Sequence, residues 1–184
     1  KGWRFYEIDV NASRQPCVDE SFDFLLPNGS NLASILDKSR RSSVKNQKVM
    51  NRIKKLMKRL VPSFEDWNTE RQFDGSLGFK IKEKGIKKGF LPKMVSDGTI
   101  RLLSILLALL YQPEGTKLIC IDEPERHLHP QILEDLVNLM RELSDECQIL
   151  IATHSPEIVK YLNPNEVFLV NKINNITTIV PAKN

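Results

Sequence analysis

Leu118-Ile119-Cys120-Ile121-Asp122-Glu123-Pro124 is the stretch of this 184-residue sequence that decides its fold. Four apolar residues followed by two carboxylates and a proline predict a short buried strand that ends in a polar turn. Ligands of open α/β sheets bind beyond the carboxyl ends of the strands, so Asp122 and Glu123 are placed where a ligand would lie. Such a pair can hold Mg²⁺ at the first carboxylate and accept a proton from an attacking water at the second. The alternative is an ordinary acidic loop between a strand and a helix.

Two further stretches carry groups that suit a phosphate site. Ser96-Asp97-Gly98-Thr99 stands directly before an apolar helix, and the N–H groups of a helix N-terminus attract anions. The same residues would also make an ordinary N-cap. Ile149-Leu150-Ile151-Ala152 predicts a second buried strand, which Thr153-His154-Ser155 follows. At the same edge of the sheet as the two carboxylates, the imidazole of His154 could donate to a terminal phosphate or orient a water, although a lone histidine is more often structural.

The remaining patterns predict short apolar strands that alternate with helices, which indicates an α/β fold with a buried, mainly parallel sheet. We expect irregular structure over residues 11–26. The expected elements are a strand 3–10, a helix starting at Asn31, a basic helix ending near Pro62, strands 64–73 and 77–82 joined at Asp74-Gly75, a helix 97–111, a strand 117–121, a helix 131–143, a strand 148–152, a helix 156–161, and strands 166–170 and 176–180 joined at Asn174-Asn175. We divide the chain into residues 1–91, with the first strand, the basic helix and a β-hairpin, and residues 92–184, with the three motifs.

The order of these motifs resembles the C-terminal half of an ABC-type ATPase head. The sequence looks most similar to the predicted ATPases related to RecF-type and structural-maintenance-of-chromosomes (SMC) proteins, rather than to transporters. The likeness is carried by residues 3–6, 29–33, 95–103, 118–124, 127–130 and 152–155. It implies the C-terminal lobe of a P-loop NTPase of the ABC ATPase-like kind, with a mainly parallel sheet and a helical and β-hairpin insertion.

The resemblance implies that Ser96, Asp97, Gly98 and Thr99 form the signature motif, which binds the nucleotide. Ser96 and Gly98 would contact the γ-phosphate of an ATP bound by the opposite head. The sequence departs from the best-known signature at Asp97, where that motif has glycine.

The resemblance also implies roles for the residues beyond the two strands. Asp122 would be the Walker B aspartate associated with Mg²⁺, Glu123 the catalytic glutamate and His154 the switch histidine. Residues 127–130 lie where such ATPases have a loop that contacts the second head, although the usual Ala-Leu-Asp is missing there.

A phosphate-binding loop of the form G-x-x-x-x-G-K-[S/T] is absent, because none of the eight glycines is followed by lysine. Without it the backbone N–H nest and the lysine that bind the β- and γ-phosphates are lacking. The sequence also begins with Lys1 rather than Met. We therefore expect the C-terminal part of a longer ATPase whose upstream Walker A lobe supplies the loop, with a split protein as the less favoured alternative. The isolated chain is expected to bind ATP weakly and not to hydrolyse it at a useful rate. A homodimer of heads is expected to enclose ATP and Mg²⁺.

The net charge of +4 conceals an uneven distribution. Ten of the 27 basic residues and none of the 23 acidic residues lie within residues 38–59, where apolar residues recur at the spacing of an amphipathic helix. The plainest interpretation is a solvated helix face. The alternatives are a nonspecific contact with nucleic-acid phosphates, or a membrane surface or acidic partner. The candidate nucleic-acid contacts are Lys54, Lys55, Lys58 and Arg59.

The composition excludes several classes of protein. An apolar fraction of 41% with 27% charged residues indicates a folded core rather than a disordered chain. Three cysteines without a C-x-x-C pair argue against a disulfide framework or zinc knuckle and favour a cytoplasmic location. The longest apolar stretch, residues 100–111, is too short to cross a membrane. His127 and His129 near Glu125 would allow a metal site, which no further cluster of ligands supports.

These observations lead to one main hypothesis and two alternatives. The main hypothesis is part of an ABC-type ATPase that hydrolyses ATP between two heads, coupled to DNA repair or to defence against foreign DNA. The first alternative is a non-catalytic dimerisation or regulatory module that docks on a partner effector. The second is a transporter nucleotide-binding subunit, which the basic insertion and the signature variant disfavour.

Overall fold

The computed structural model describes residues 2–18, 22–38 and 43–182. The elements are β1 (Trp3–Tyr6), α1 (Val10–Arg14), α2 (Leu32–Lys38), α3 (Val44–Leu60), β2 (Phe64–Arg71), β3 (Leu77–Glu83), α4 (Asp97–Leu110), β4 (Leu118–Asp122), α5 (Pro130–Ser144), β5 (Gln148–Ala152), α6 (Pro156–Val159), β6 (Phe168–Ile173) and β7 (Ile176–Pro181). Short 3-10 helices cover Pro92–Met94 and Pro164–Glu166. The α/β class predicted from the sequence is confirmed.

The strands β1, β4 and β5 form a parallel sheet in this order. The strand that leads to Asp122 and Glu123 (β4) and the strand that leads to His154 (β5) therefore end at the same edge of the sheet. Side chains alternate between the two faces of a strand. On one face Tyr6, Ile119 and Ile121 are buried in the same core as α4. On the other face Phe5 is 59% exposed and Leu150 is 55% exposed. Within the described residues the sheet is therefore covered on one side only.

The segment between β1 and α4 is a helical layer packed on a β-hairpin. The strands β2 and β3 pair in antiparallel register, and Gly75 in their turn has φ of 82°, which glycine adopts without steric cost. The apolar face of α3 is buried through Met50, Ile53 and Met57. This confirms both the Asp74-Gly75 turn and the amphipathic helix predicted from the sequence.

The sequence prediction was wrong at the N-terminal strand. β1 ends at Tyr6, and Val10 is already the first residue of α1, so residues 11–26 are not wholly irregular. The cause is Asp9, whose carboxylate accepts hydrogen bonds from the N–H groups of Asn11 and Ala12 and thereby caps the helix.

The C-terminal hairpin of β6 and β7 is exposed along both strands. It turns at Asn174 and Asn175 as predicted, with positive φ at both residues, but β6 begins only at Phe168. In the part of the chain that the structure describes, β6 and β7 pair with each other and not with the parallel sheet. None of the described helices combines the length and the apolar character that a membrane crossing requires.

Candidate nucleotide site

The turn after β4 places Glu123 in an uncommon backbone conformation. Its φ is 42°, in the left-handed region that costs a residue with a Cβ roughly 1 kcal/mol or more. Its N–H donates to the carbonyl oxygen of Ala152 at 2.8 Å, which ties the turn to the end of β5. Asp122, the last residue of β4, is exposed. The two carboxylates predicted to lie at this edge of the sheet are therefore found there.

His154 meets Glu123 across the ends of the two strands. The imidazole Nδ1 lies 2.5 Å from Glu123 Oε1, with side-chain exposures of 85% for the histidine and 25% for the glutamate. The Thr153 hydroxyl donates to Glu125 Oε1 at 2.5 Å and accepts from the N–H of Ser155 at 3.0 Å. These bonds fix the loop that carries His154, and a cleft of about 460 Å³ opens beside the pair.

Residues 96–99, which the resemblance predicts to be the signature motif and which we call the signature stretch, form the N-cap and the first residues of α4 and contact the loop after β4. The Ser96 hydroxyl accepts the N–H of Thr99 at 3.2 Å, so the N-cap predicted there is confirmed. The Asp97 carboxylate lies 2.7 Å from Arg14 Nη2 and 3.3 Å from His127 Nδ1. A Cβ added at Gly98 would lie 2.6 Å from the carbonyl oxygen of His127, so this close approach requires glycine.

Arg101 is a residue that the sequence analysis missed. It lies in α4, is 3% exposed, and donates to the carbonyl oxygens of Ile8 at 2.7 Å and Glu123 at 2.6 Å. A longer contact of 3.4 Å reaches the carbonyl of Asp122. Burial lowers the pKa of Arg101, and the nearby charge of Arg126 lowers it further. The available signal was an arginine in an otherwise apolar helix, since such a group is buried only when it is hydrogen-bonded.

These groups line a polar cleft of about 580 Å³ between α1, α4 and the end of β4. Its lining includes Asp97, Arg101, Asp122, Glu123, Arg126 and His127. The structure thus brings part of the signature stretch and both carboxylates to one cleft, with His154 in the adjoining one.

The two histidines of the possible metal site face different partners. His127 pairs with Asp97, and His129 Nδ1 accepts the N–H of Gln131 at 3.3 Å as the cap of α5. Among the residues described here, no group of three or more His, Cys, Asp or Glu side chains could hold a metal ion.

The four candidate nucleic-acid contacts lie on α3, and two of them are paired. Lys54 Nζ lies 2.7 Å from Asp66 and 4.6 Å from the centre of the Trp67 ring. Arg59 Nη2 lies 2.9 Å from Asp135. Lys55 and Lys58 are exposed. The basic residues Arg40 and Arg41 of the same segment lie outside the described residues.

The fold and the arrangement of motifs define a P-loop NTPase of the RecF/SMC-like ATPase group. The family model AAA_21, described as "AAA domain, putative AbiEii toxin, Type IV TA system", matches residues 4–160. The chain belongs to this family.

Similar proteins and structures are more distant. The chain is 22% identical over 134 residues to "Retron Ec83 probable ATPase" of Escherichia coli, covering 68% of this chain and 24% of that protein. It is 26% identical over 80 residues to "Retron Vc95 probable ATPase" of Vibrio cholerae, covering 44% and 16%. The chain therefore spans a quarter or less of the length of these relatives.

Solved SMC heads share the fold. An SMC ATPase studied for its ATP-driven dimerization and DNA-stimulated activation has a TM-score of 0.57 at 18% identity, covering 73% of this chain and 83% of that chain. An SMC head from Pyrococcus furiosus bound to the C-terminal domain of ScpA has a TM-score of 0.56 at 17% identity, covering 79% and 37%.

Proposed function

We propose that this chain supplies the catalytic residues of an ATP-hydrolysing site that forms between two ATPase heads. The observation that carries the proposal is the contact of Glu123 with His154 at 2.5 Å beside the exposed carboxylate of Asp122. A carboxylate held by an imidazole can accept a proton from an attacking water. The imidazole can then donate to a developing phosphate charge.

The donor set at the end of β4 fits a nucleotide with Mg²⁺. Mg²⁺ takes oxygen ligands and usually keeps several waters, binding through one or two carboxylates together with substrate phosphates. Asp122 offers one such carboxylate at the mouth of the cleft. When bound, Mg²⁺ would neutralise charge on the phosphate oxygens. The chain's own task is to hold Glu123 in place, which the bonds from Arg101 and to Ala152 do.

The signature residues are proposed to serve the nucleotide of a second head. Ser96 is exposed, and its hydroxyl and the first N–H groups of α4 form the positive end of a 14-residue helix. Because Asp97 and Gly98 contact His127, the start of α4 is fixed to the loop after β4. A phosphate at Ser96 would therefore lie against the loop proposed to contact the second head.

The phosphate-binding loop is proposed to come from an additional Walker A lobe. The support is the open side of the parallel sheet, where Trp3, Phe5 and Leu150 are exposed, since such a large apolar surface normally marks an interface.

The biological process is proposed to be a nucleic-acid transaction in defence against foreign DNA or in DNA repair. The retron ATPases among the relatives favour defence. A non-catalytic module that docks on an effector is the second candidate, because the described chain by itself contains no phosphate loop.

The test is Mg²⁺-dependent ATP turnover by the full-length protein and by its Glu123→Gln variant. Loss of a general base costs typically 10²–10⁴-fold, so turnover is expected to fall by at least about 100-fold while ATP binding persists. Glu134→Gln, an exposed site on α5, is the matched control and keeps full turnover.

The pairing of heads is tested by mixing two inactive variants. Ser96→Arg disables the signature stretch, and Glu123→Gln removes the catalytic carboxylate. In a mixed dimer, one site combines the intact catalytic residues of the first variant with the intact signature stretch of the second, so turnover is expected to return. Wild-type protein that binds ATP without turnover would favour the non-catalytic module, and no recovery on mixing would contradict the site between heads.

A further inference from the structure

A second cluster of positive charge lies outside α3, on β3 and the segment that follows it. Residues 80–93 contain six lysines and a single acidic residue, Glu83. Lys80 pairs with Glu70 at 2.8 Å. The other five have no ion pair within the described ranges, and we call them the lysine ridge: Lys82, Lys84, Lys87, Lys88 and Lys93.

The lysine ridge differs from α3 in how its charge is compensated. On α3, four cationic side chains lie within 2.9 Å of acidic partners: Lys45 with Glu114, Arg52 with Glu142, Lys54 with Asp66 and Arg59 with Asp135. Four of the seven basic residues of α3 are therefore compensated inside the molecule, which leaves, among the described residues, three unpaired lysines there against five on the ridge. Charge on the ridge remains available to an external anion.

Backbone hydrogen bonds hold most of the ridge beside β3. Phe79 and Ile81 are buried, so the alternation of a strand places Lys82 on the outer face of β3. The N–H of Lys84 donates to the carbonyl of Ser63 at 2.9 Å, just beyond the end of α3. Ile81 and Phe90 exchange backbone hydrogen bonds of 2.8 and 2.9 Å, which folds the loop with Lys87 and Lys88 back along the strand.

We propose that the lysine ridge binds the sugar–phosphate backbone of duplex DNA. Unpaired ammonium groups that cluster in one short segment suit a linear polyanion such as the sugar–phosphate backbone, and they carry no base specificity. Lys93 is three residues from Ser96, so bound DNA would lie beside the start of α4. This proposal rests on the nucleic-acid role in the proposed function. It places the DNA contact on the lysine ridge, whereas the sequence analysis had placed it on α3.

The experiment measures binding of a short labelled DNA duplex to the full-length protein, without nucleotide, at several salt concentrations. Two variants remove equal charge: Lys84, Lys87 and Lys88→Gln on the ridge, and Lys48, Lys55 and Lys58→Gln on α3. The ridge variant is expected to weaken binding at least tenfold and to reduce the slope of log K against log salt by about 3, since each phosphate contact contributes about 1. The α3 variant is expected to change both much less.

Three outcomes would overturn the proposal. If the α3 variant loses affinity for DNA and the ridge variant does not, the DNA contact lies on α3. If the wild-type protein binds no duplex, both the ridge proposal and the proposed nucleic-acid role are wrong, and the ATPase proposal is unaffected. Binding to vesicles that contain phosphatidylserine, but not to DNA, would make the ridge a membrane contact. Unfolding temperatures of both variants that match that of the wild type confirm that the substitutions leave the fold intact.

Discussion

At the scale of single residues, Arg101 joins three segments of the candidate site. Its guanidinium donates to carbonyls that follow β1 and β4, while its own backbone belongs to α4. Among the described residues, the guanidinium of Arg101 bonds to backbone carbonyls, and no carboxylate lies within ion-pair distance of it. The backbone of Glu123 is thereby held from both sides, by Arg101 at its carbonyl and by Ala152 at its N–H.

Replacing Arg101 by Met is expected to destabilise the fold. Met fills similar space but donates no hydrogen bond, and each buried carbonyl left without a partner costs about 1–3 kcal/mol. For a chain of this size 1 kcal/mol shifts the unfolding temperature by about 2–4 °C, so a fall of several degrees is expected in calorimetry.

The control for that substitution is Arg126→Met. Arg126 lines the same cleft, but its side chain is 65% exposed and lies 3.9 Å from Glu123, so little loss is expected. An Arg101→Met protein that unfolds at the wild-type temperature would show that the three carbonyls find other donors.

At the scale of elements, one ion pair fixes the segment from which the C-terminal hairpin starts. Arg141 of α5 makes two parallel bonds to Glu166, at 2.9 and 2.8 Å, and also donates to the carbonyl of Tyr161. The N–H of Asn163 donates to the same carboxylate at 2.7 Å. These bonds lower the pKa of Glu166 from its usual 4.5 to about 2.

The lowered pKa predicts a stability difference that depends on pH. A carboxyl group with a depressed pKa in the folded protein stabilises it above the unfolded value of about 4.5, and this contribution is lost as the pH falls toward about 2. Glu166→Gln is therefore expected to be less stable than wild type at neutral pH, with a difference that narrows below pH 4.5. Urea unfolding at a series of pH values measures this. The exposed Glu134→Gln is the control, and a difference independent of pH would contradict the prediction.

Most elements could be predicted from the sequence, because their signals are local. The apolar run before Asp122 and the Asp74-Gly75 turn each predicted the observed structure. Two features escaped prediction because they depend on contacts distant in sequence. Arg101 is explained only by the carbonyls of Ile8 and Glu123, and the charge on α3 only by acidic partners such as Asp135 and Glu142.

At the scale of the whole molecule, the described chain leaves two apolar surfaces uncovered. One is the open side of the parallel sheet, with Trp3 66% exposed. The other is the C-terminal hairpin, whose apolar side chains, such as Ile173 and Ile176, are exposed on both strands. An α/β sheet normally has helices on both faces, so the proposed Walker A lobe has a defined surface to cover.

The two tryptophans allow this covering to be measured. Trp67 is 2% exposed, so a Trp67→Phe variant leaves Trp3 as the only tryptophan of the chain. Its fluorescence is expected to be that of a solvated indole in the isolated chain. In a protein that includes the Walker A lobe, with any further tryptophan also replaced by phenylalanine, it is expected to shift to shorter wavelength.

The matched control is Trp3→Phe, which reports Trp67 alone. Its emission is expected to be the same in the isolated chain and in the longer protein. A Trp3 signal that also stays unchanged would place the lobe away from the open side of the sheet.

At position 123 the backbone conformation and the proposed chemistry favour different residues, because Glu123 has a positive φ. Glycine or asparagine would adopt this conformation at lower cost than glutamate, so an engineering search for greater thermostability would favour one of them here. Either would remove the carboxylate that faces His154. A library selected only for thermal resistance would thus be expected to lose activity first at residue 123, which makes this position one to exclude from such a design.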